Sequence, residues 1–157
     1  MGTKGQSKRA SLDGAGLTIG VVAARYNQEI VDALLEGALR TLEEHGATAE
    51  PVLSVPGSFE IPIAAQALAD AGEVDAVICL GCVIKGETAH FEHVAESAAR
   101  GIQDVALETG VPCVFGVLTT YTEEQALARR NHGKEAAETA IEMANLLRDV
   151  RSKQAPS

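Results

Sequence analysis

A stretch with two glycines joins a predicted buried strand to a predicted helix: Gly81-Cys82-Val83-Ile84-Lys85-Gly86-Glu87-Thr88-Ala89-His90-Phe91-Glu92-His93-Val94. A strand that passes over glycine into a helix leaves unpaired backbone N–H groups at the helix start. These groups favour an anion, and Lys85 adds positive charge beside them. An imidazole can accept and donate protons near neutral pH, and His90 lies in the first turn of the predicted helix, beside this anion site. The stretch is therefore a candidate catalytic site.

Strand-like and helical patterns alternate on both sides of this stretch. Short apolar runs at 17–23, 47–55, 76–82 and 112–119 predict four strands, and helical spacing of apolar residues follows each one. This alternation predicts an α/β fold with a parallel sheet and right-handed crossovers. Pro51 in the second run predicts either an edge strand or the start of a strand. Among the finer assignments, Asn27 and Ser58 are predicted helix caps, Ile63 is placed on a buried helical face, and the last helix is expected to end near Val150.

Length, charge and cysteine content limit the class of protein. The 157 residues predict one domain at 15–150, with a flexible arm at 1–14 and a tail at 151–157. A net charge of -9 argues against nucleic acid or an anionic membrane as partner, and no run approaches the ~20 apolar residues of a membrane span. The polar, basic N-terminus does not look like a secretory signal, and three cysteines fit a reducing, cytoplasmic location.

The few aromatic residues follow the predicted strands. Tyr26, Phe59, Phe91 and Tyr121 come after the first, second, third and fourth strand, and Phe115 lies within the fourth. Ligands of parallel sheets bind outside the carboxyl ends of the strands, so this placement predicts a pocket for a flat ligand. The alternative is that these rings only cover gaps between loops.

Two motifs with metal-like spacing are better explained without a metal. Cys79 and Cys82 have CxxC spacing, but residues three apart on a strand point to opposite faces, which favours packing. His90 and His93 lack the spacing of zinc proteases, although a two-histidine site with Glu60 stays open. His90 is the better candidate for a catalyst. Glu60 has two possible roles: an acidic residue that stabilises the start of a helix through the helix dipole, or an acceptor of hydrogen bonds from ligand hydroxyls.

The anion site matches no nucleotide-binding motif. The stretch lacks the order of a Walker loop, and no GxGxxG follows the first strand. A short phosphate nest remains, built from backbone amides and the Thr88 hydroxyl, with Glu87 serving through its backbone. Arg129 or Arg130 is a candidate guanidinium for the phosphate, and a solvated helix surface is the alternative for both.

Four stretches together resemble the 6,7-dimethyl-8-ribityllumazine synthase family over residues 17–150. They are Ala24-Arg25-Tyr26-Asn27, Pro56-Gly57-Ser58-Phe59-Glu60-Ile61-Pro62, the 81–91 stretch, and Ala140-Ile141-Glu142-Met143-Ala144-Asn145-Leu146. The resemblance implies a three-layer flavodoxin-like sandwich around a four-stranded parallel sheet. It also implies the penultimate step of riboflavin synthesis, in which 5-amino-6-(D-ribitylamino)uracil condenses with 3,4-dihydroxy-2-butanone 4-phosphate.

The resemblance also implies the residues and partners of this reaction. No metal or organic cofactor is expected. Pentamers, in some members packed into 60-subunit shells, are expected to form active sites between neighbouring subunits, and riboflavin synthase is a candidate partner. The implied roles are catalysis by His90, phosphate binding by Glu87, Thr88 and a neighbour's Arg129, and substrate binding by Tyr26, Asn27, Ser58, Phe59, Glu60, Cys82, Val83, Ile84 and a neighbour's Phe115.

This chain departs from the family pattern in one region. Tyr121 replaces a usual aspartate, His132 replaces a usual lysine, and the segment 130–133 is shorter than usual. The choice between Arg129 and Arg130, and between pentamer and shell, therefore stays open. Three other functions are also open: a phosphosugar isomerase or lyase, a non-catalytic lumazine or flavin carrier, and an assembly protein with a decayed site.

Overall fold

The protein is described here by a computed structural model, in which residues 9–154 are placed. Within this range strands and helices alternate, as the apolar patterns predict. The elements in chain order are β1 (Thr18–Ala24), α1 (Gln28–Glu44), β2 (Thr48–Val55), a 3-10 helix (Ser58–Glu60), α2 (Ile61–Ala71), β3 (Ala76–Ile84), α3 (His90–Thr109), β4 (Cys113–Thr120), α4 (Glu123–Ala128) and α5 (Gly133–Gln154).

The four strands form one parallel sheet in the order β2-β1-β3-β4. This order begins like that of flavodoxin-like sheets and confirms the predicted α/β class. Strand β2 lies at an edge, which confirms the prediction made from Pro51. The direction of the crossovers reverses between β1 and β3, and this is where ligands of open parallel sheets usually bind.

Helices cover the sheet on both faces, so the core has two halves. One half packs α1 and α5 against residues such as Ile19, Ile78 and Leu80, and the other packs α2 and α3 against residues such as Val22 and Val77. Both halves are built almost entirely from aliphatic side chains, which leaves the aromatic rings outside the core. Three layers result, as the resemblance implies.

The faces of β3 separate the two cysteines of the CxxC pattern. Cys82 belongs to the half under α1 and α5, whereas Cys79 belongs to the half under α2 and α3. This separation follows from the alternation of side chains along a strand. The prediction that the two sulfurs pack on opposite faces is confirmed.

Several finer predictions are wrong. Asn27 precedes α1 but makes no side-chain cap, and Ser58 lies inside the 3-10 helix without capping it or α2. Ile63 is largely exposed because the buried face of α2 is formed by other positions. Helix α5 continues to Gln154 instead of ending near Val150. The buried positions of α2 are Ile61, Ala65 and Ala69.

The described part of the predicted arm, from Arg9 to Gly14, contacts the domain. The Asn145 side-chain amide donates to the carbonyl oxygens of Ser11 (2.8 Å) and Asp13 (3.0 Å), and Arg9 pairs with Glu142 at 2.8 Å. Residues 1–8 of the arm and 155–157 of the tail lie outside the described residues. The domain limits therefore stay predictions.

We predict that Gly133→Ala destabilises the fold. A Cβ atom at Gly133 would overlap the carbonyl oxygen of Leu34 and approach the Ala38 nitrogen, so α1 and α5 would have to separate. The expected loss is about 3 kcal/mol in the free energy of unfolding, measured with urea.

Gly37→Ala is the matched control at the same junction. Its Cβ would lie 3.6 Å from the Lys134 nitrogen, an ordinary contact, and alanine favours helix α1 by up to about 1 kcal/mol. Equal unfolding free energies for the two variants would contradict the claim that Gly133 is required for the close packing.

Candidate active site

A cleft of about 760 Å³ opens at the carboxyl edge of the sheet, beside β1 and β3. Its walls are the turns after β1, β2 and β3 and the first turns of α3. Ten of the predicted site residues line it, and three do not. The ten are Tyr26, Asn27, Ser58, Phe59, Glu60, Cys82, Val83, Ile84, Thr88 and His90.

The residues outside this cleft are Glu87, Phe115 and Arg129. Glu87 lies in the loop at the rim and is exposed. Phe115, 44% exposed on the edge strand β4, lines a separate groove of about 770 Å³ between α3 and α5 that also contains His132. Arg129 is exposed and donates through Nη1 to the Gln125 carbonyl oxygen at 2.9 Å. One chain alone therefore does not bring Phe115 and Arg129 to His90.

Aromatic rings form part of the cleft wall. Tyr26 and Phe59 line it while remaining 74% and 61% exposed, and Phe91 lines it from the first turn of α3. The ring of Phe91 lies 6.2 Å from that of Tyr121, at a tilt of 43°. Exposed rings around a concave site suit a flat, partly polar ligand better than they suit a protein core.

Asn27 joins the turn after β1 to the end of β3. Its backbone is left-handed (φ 59°), a conformation that asparagine tolerates better than most residues. Its side-chain amide donates to the Cys82 carbonyl oxygen at 2.8 Å. The sequence pattern gave no sign of this bond, because a short polar side chain before a helix usually indicates a cap.

A close contact also joins the turn after β2 to β3. Ser58 is buried, and a Cβ atom at Gly81 would lie 2.5 Å from its hydroxyl oxygen and 3.3 Å from Ile61 Cδ1. Glycine at position 81 therefore allows the 3-10 helix to close against the strand. This packing positions Phe59 and Glu60 on the cleft wall.

His90 is the first residue of α3, and the loop 85–88 leads into it. The His90 N–H points to the Thr88 hydroxyl oxygen at 3.4 Å, a long and weak hydrogen bond. Ala89, before the helix, provides no side-chain cap, and the Glu92 N–H donates to the Ala89 carbonyl oxygen at 3.1 Å. The amides that precede Glu92 keep their capacity to bind an anion. His93 also lines the cleft, one turn further along the helix.

Lys85 and Tyr121 form a contact at the rim of the cleft. The Lys85 ammonium lies 5.5 Å from the centroid of the Tyr121 ring, a cation–π contact worth about 0.5 to 1 kcal/mol at an exposed site. The Lys85 N–H donates to the Thr120 carbonyl oxygen at 2.9 Å, which holds the backbone in place. The sequence placed each residue near this edge but did not indicate that they pair.

The cysteine thiols are held in the protonated form. Burial raises the pKa of Cys82 and of Cys113 to about 11, and burial with a smaller contribution from Cys113 raises the pKa of Cys79 further. Within residues 9–154 no group of three or more His, Cys, Asp or Glu side chains could hold a metal ion. None of the helices in that range is long and apolar enough to cross a membrane.

This architecture is that of an α/β enzyme with a small-molecule site at the carboxyl edge of its sheet. The family model for 6,7-dimethyl-8-ribityllumazine synthase matches residues 16–148. The chain belongs to this family, which confirms the resemblance, and it is a transferase of riboflavin biosynthesis.

The individual relatives agree with the family match. A Thermococcus kodakarensis protein named 6,7-dimethyl-8-ribityllumazine synthase is 47% identical over 145 residues, which cover 90% of this chain and 93% of that protein. Among solved structures, the AGO5 MID domain of Arabidopsis thaliana aligns with a TM-score of 0.42 and 14% identity, covering 88% of this chain and 95% of that one. A similarity of that size supports no argument about fold or function.

We predict that Cys82 resists alkylation at neutral pH despite lining the cleft. Only the thiolate reacts, and a pKa of about 11 keeps the thiol protonated until strongly alkaline pH. Burial raises the pKa of Cys82 in the folded protein above its unfolded value of about 8.5. The contribution of the buried thiol to the free energy of unfolding is therefore complete below the unfolded pKa and is lost as the pH rises through about 11. Iodoacetamide labelling followed by peptide mass mapping measures the rate.

The urea-unfolded chain is the control for this labelling. There the same thiol should react with an ordinary cysteine pKa of about 8.5. Equal rates for folded and unfolded Cys82 at pH 8 would show that burial does not protect the thiol.

Proposed function

We propose that the enzyme condenses 5-amino-6-(D-ribitylamino)uracil with 3,4-dihydroxy-2-butanone 4-phosphate to give 6,7-dimethyl-8-ribityllumazine, with release of phosphate and water. The observation that carries this proposal is the cleft, which combines aromatic walls, a carboxylate and an anion-binding helix start that carries His90, with His93 one turn further along. This combination matches one flat substrate with hydroxyls and one phosphorylated substrate. Membership of the lumazine synthase family supports the same reaction.

The pyrimidine substrate would occupy the part of the cleft between β1 and the 3-10 helix. Tyr26 and Phe59 offer ring faces for stacking, and Glu60 offers a carboxylate that accepts from ribityl hydroxyls. Backbone groups of Val83 and Ile84, at the end of β3, lie along the same wall and suit the polar edge of the heterocycle. The Asn27 amide is already bonded to Cys82, so Asn27 would serve mainly to shape this part of the cleft.

The phosphorylated substrate would bind at the start of α3. The amides of the first turn and the Thr88 hydroxyl provide donors for the phosphate, and Glu87 contributes only its backbone. This position orients the butanone beside the amine of the pyrimidine, and orientation of two substrates contributes much of an enzyme's rate acceleration.

His90 would move protons during the reaction. The amine attacks the butanone carbonyl and water leaves, then the C–O bond to phosphate breaks, and the ribityl-bearing nitrogen attacks the resulting carbonyl to close the ring with loss of water. Each step requires a proton to be taken from nitrogen or carbon and given to a leaving oxygen. The His90 side chain, at the helix start beside the proposed phosphate position, suits that exchange.

The site would be completed by a neighbouring copy of the chain. Phe115 is an exposed aromatic residue on an edge strand, and Arg129 extends from the surface, so both are available to a second subunit. We propose that the enzyme forms a homo-oligomer, a pentamer that can pack into a 60-subunit shell, in which these side chains reach the next cleft. A cytoplasmic location with reduced cysteines and a partnership with riboflavin synthase accord with this role.

We predict that His90→Ala lowers turnover roughly 10- to 1000-fold, because a general acid–base is removed while both binding regions remain. The assay mixes both substrates and follows lumazine absorbance and fluorescence. His45→Ala is the control, since His45 follows α1 at the opposite edge of the sheet and should leave the rate unchanged. Wild-type turnover in His90→Ala would remove this histidine from the mechanism.

A second prediction tests whether neighbouring subunits share the site. His90→Ala and Arg129→Ala chains should each be weakly active alone, but their co-expressed mixture should regain about a quarter of wild-type activity. In random mixtures about one interface in four joins an intact His90 of one chain to an intact Arg129 of the next. No recovery, in mixtures shown by mass spectrometry to contain both chains, would mean that both residues act within one chain or that Arg129 is not used.

A further inference from the structure

The cleft is poor in positive charge for a site that takes a phosphorylated substrate. Within residues 9–154 its lining includes no lysine or arginine, while Glu60 lines it and Glu87 lies at its rim. The chain as a whole carries a net charge of -9. A phosphate dianion approaching this edge therefore meets a repulsive field unless a cation lies close to its path.

Lys85 is the lysine adjacent in the chain to the cleft, although its own side chain is not part of the lining. The residues on either side of it, Ile84 and Gly86, both line the cleft, and Gly86 begins the loop that leads to Thr88. Its own side chain is exposed, and in the part of the chain that the structure describes it makes no ion pair. The charge of Lys85 is thus not neutralised by a carboxylate.

The Lys85 ammonium contacts the ring of Tyr121. The ring lies 5.5 Å away, and the Tyr121 backbone N–H donates to Gln125 Oε1 at 2.9 Å, within the capping box that begins α4. Phe91, which lines the cleft, lies 6.2 Å from the same ring. This exposed cation–π contact is weaker than the charge-assisted hydrogen bonds that an ammonium forms with a phosphate dianion, so the ammonium can turn from the ring to the phosphate.

We propose that Lys85 is a specificity-determining residue that attracts and holds the phosphate of the phosphorylated substrate, and that Tyr121 is its positioning residue. This inference rests on the proposed function for the identity of that substrate. It adds a cation from the same chain that forms the cleft, independent of any arginine from a neighbour. The charge acts on the phosphorylated substrate and leaves the neutral pyrimidine unaffected.

The test compares Lys85→Met, which removes the charge with little change in shape, with Lys85→Arg, which keeps it. Lys85→Met should raise KM for the butanone phosphate roughly 5- to 50-fold, the range expected for loss of a charge-assisted contact, and leave KM for the pyrimidine within about twofold. Lys85→Arg should stay close to wild type. Raising the salt concentration should reduce the difference in KM for the butanone phosphate between Lys85→Met and wild type, because salt screens the charge of Lys85.

Lys153→Met is the matched control because it changes the net charge equally, at the far end of α5. It should leave both KM values unchanged. If Lys85→Met behaves like Lys153→Met, or raises both KM values to the same extent, the proposal is wrong. Competitive inhibition by inorganic phosphate gives a second measure, which should weaken in Lys85→Met by a factor similar to that for KM.

The role of Tyr121 is tested by Tyr121→Leu and Tyr121→Phe. Leucine removes the ring and should raise KM for the butanone phosphate about threefold with a steeper salt dependence, whereas phenylalanine keeps the ring and should restore wild-type values. If Phe and Leu give the same KM, the ring does not position Lys85. Calorimetry with inorganic phosphate distinguishes failure of this inference from failure of the proposed function. It measures anion binding by Lys85 even if the wild-type protein forms no lumazine.

Discussion

The cleft depends on how closely three turns approach the carboxyl end of β3. Asn27 binds the Cys82 carbonyl oxygen from one side, and Ser58 packs against Gly81 from the other. A side chain at position 81 would push the 3-10 helix away, and loss of the Asn27 bond would release the turn after β1. The aromatic and acidic residues of the cleft therefore owe their positions to contacts made by small or short polar residues.

Aliphatic residues form the core of this protein, and aromatic residues lie at the edge of the sheet. Alanine, valine, leucine and isoleucine fill both faces of the sheet, so the fold does not require a large ring in its interior. Rings are then available at the sheet edge, where Tyr26, Phe59, Phe91 and Tyr121 lie. An exposed ring loses favourable burial, and its presence at a concave edge is best explained by a ligand or a partner that covers it.

The charged groups around the cleft and those predicted to bind the phosphate lie on different elements of the chain. The start of α3 and Lys85 lie beside the cleft. Arg129 donates to a carbonyl oxygen of α4, and Phe115 lines a different groove. Arg130 likewise donates to the Leu127 carbonyl oxygen, so neither arginine is directed into the cleft of its own chain. A site built between subunits would couple phosphate binding to assembly.

The amino-acid sequence alone determined the order of strands and helices, because apolar periodicity and glycine positions report local structure directly. It also identified most of the cleft residues, since the residue after each strand of a parallel sheet must lie at one edge. It missed the bond from Asn27 to Cys82 and the pairing of Lys85 with Tyr121, and it assigned Asn27 and Ser58 as caps. Both contacts join residues far apart in the chain. Only tertiary packing decides whether a short polar side chain such as that of Asn27 forms a hydrogen bond with its own helix or with a neighbouring strand.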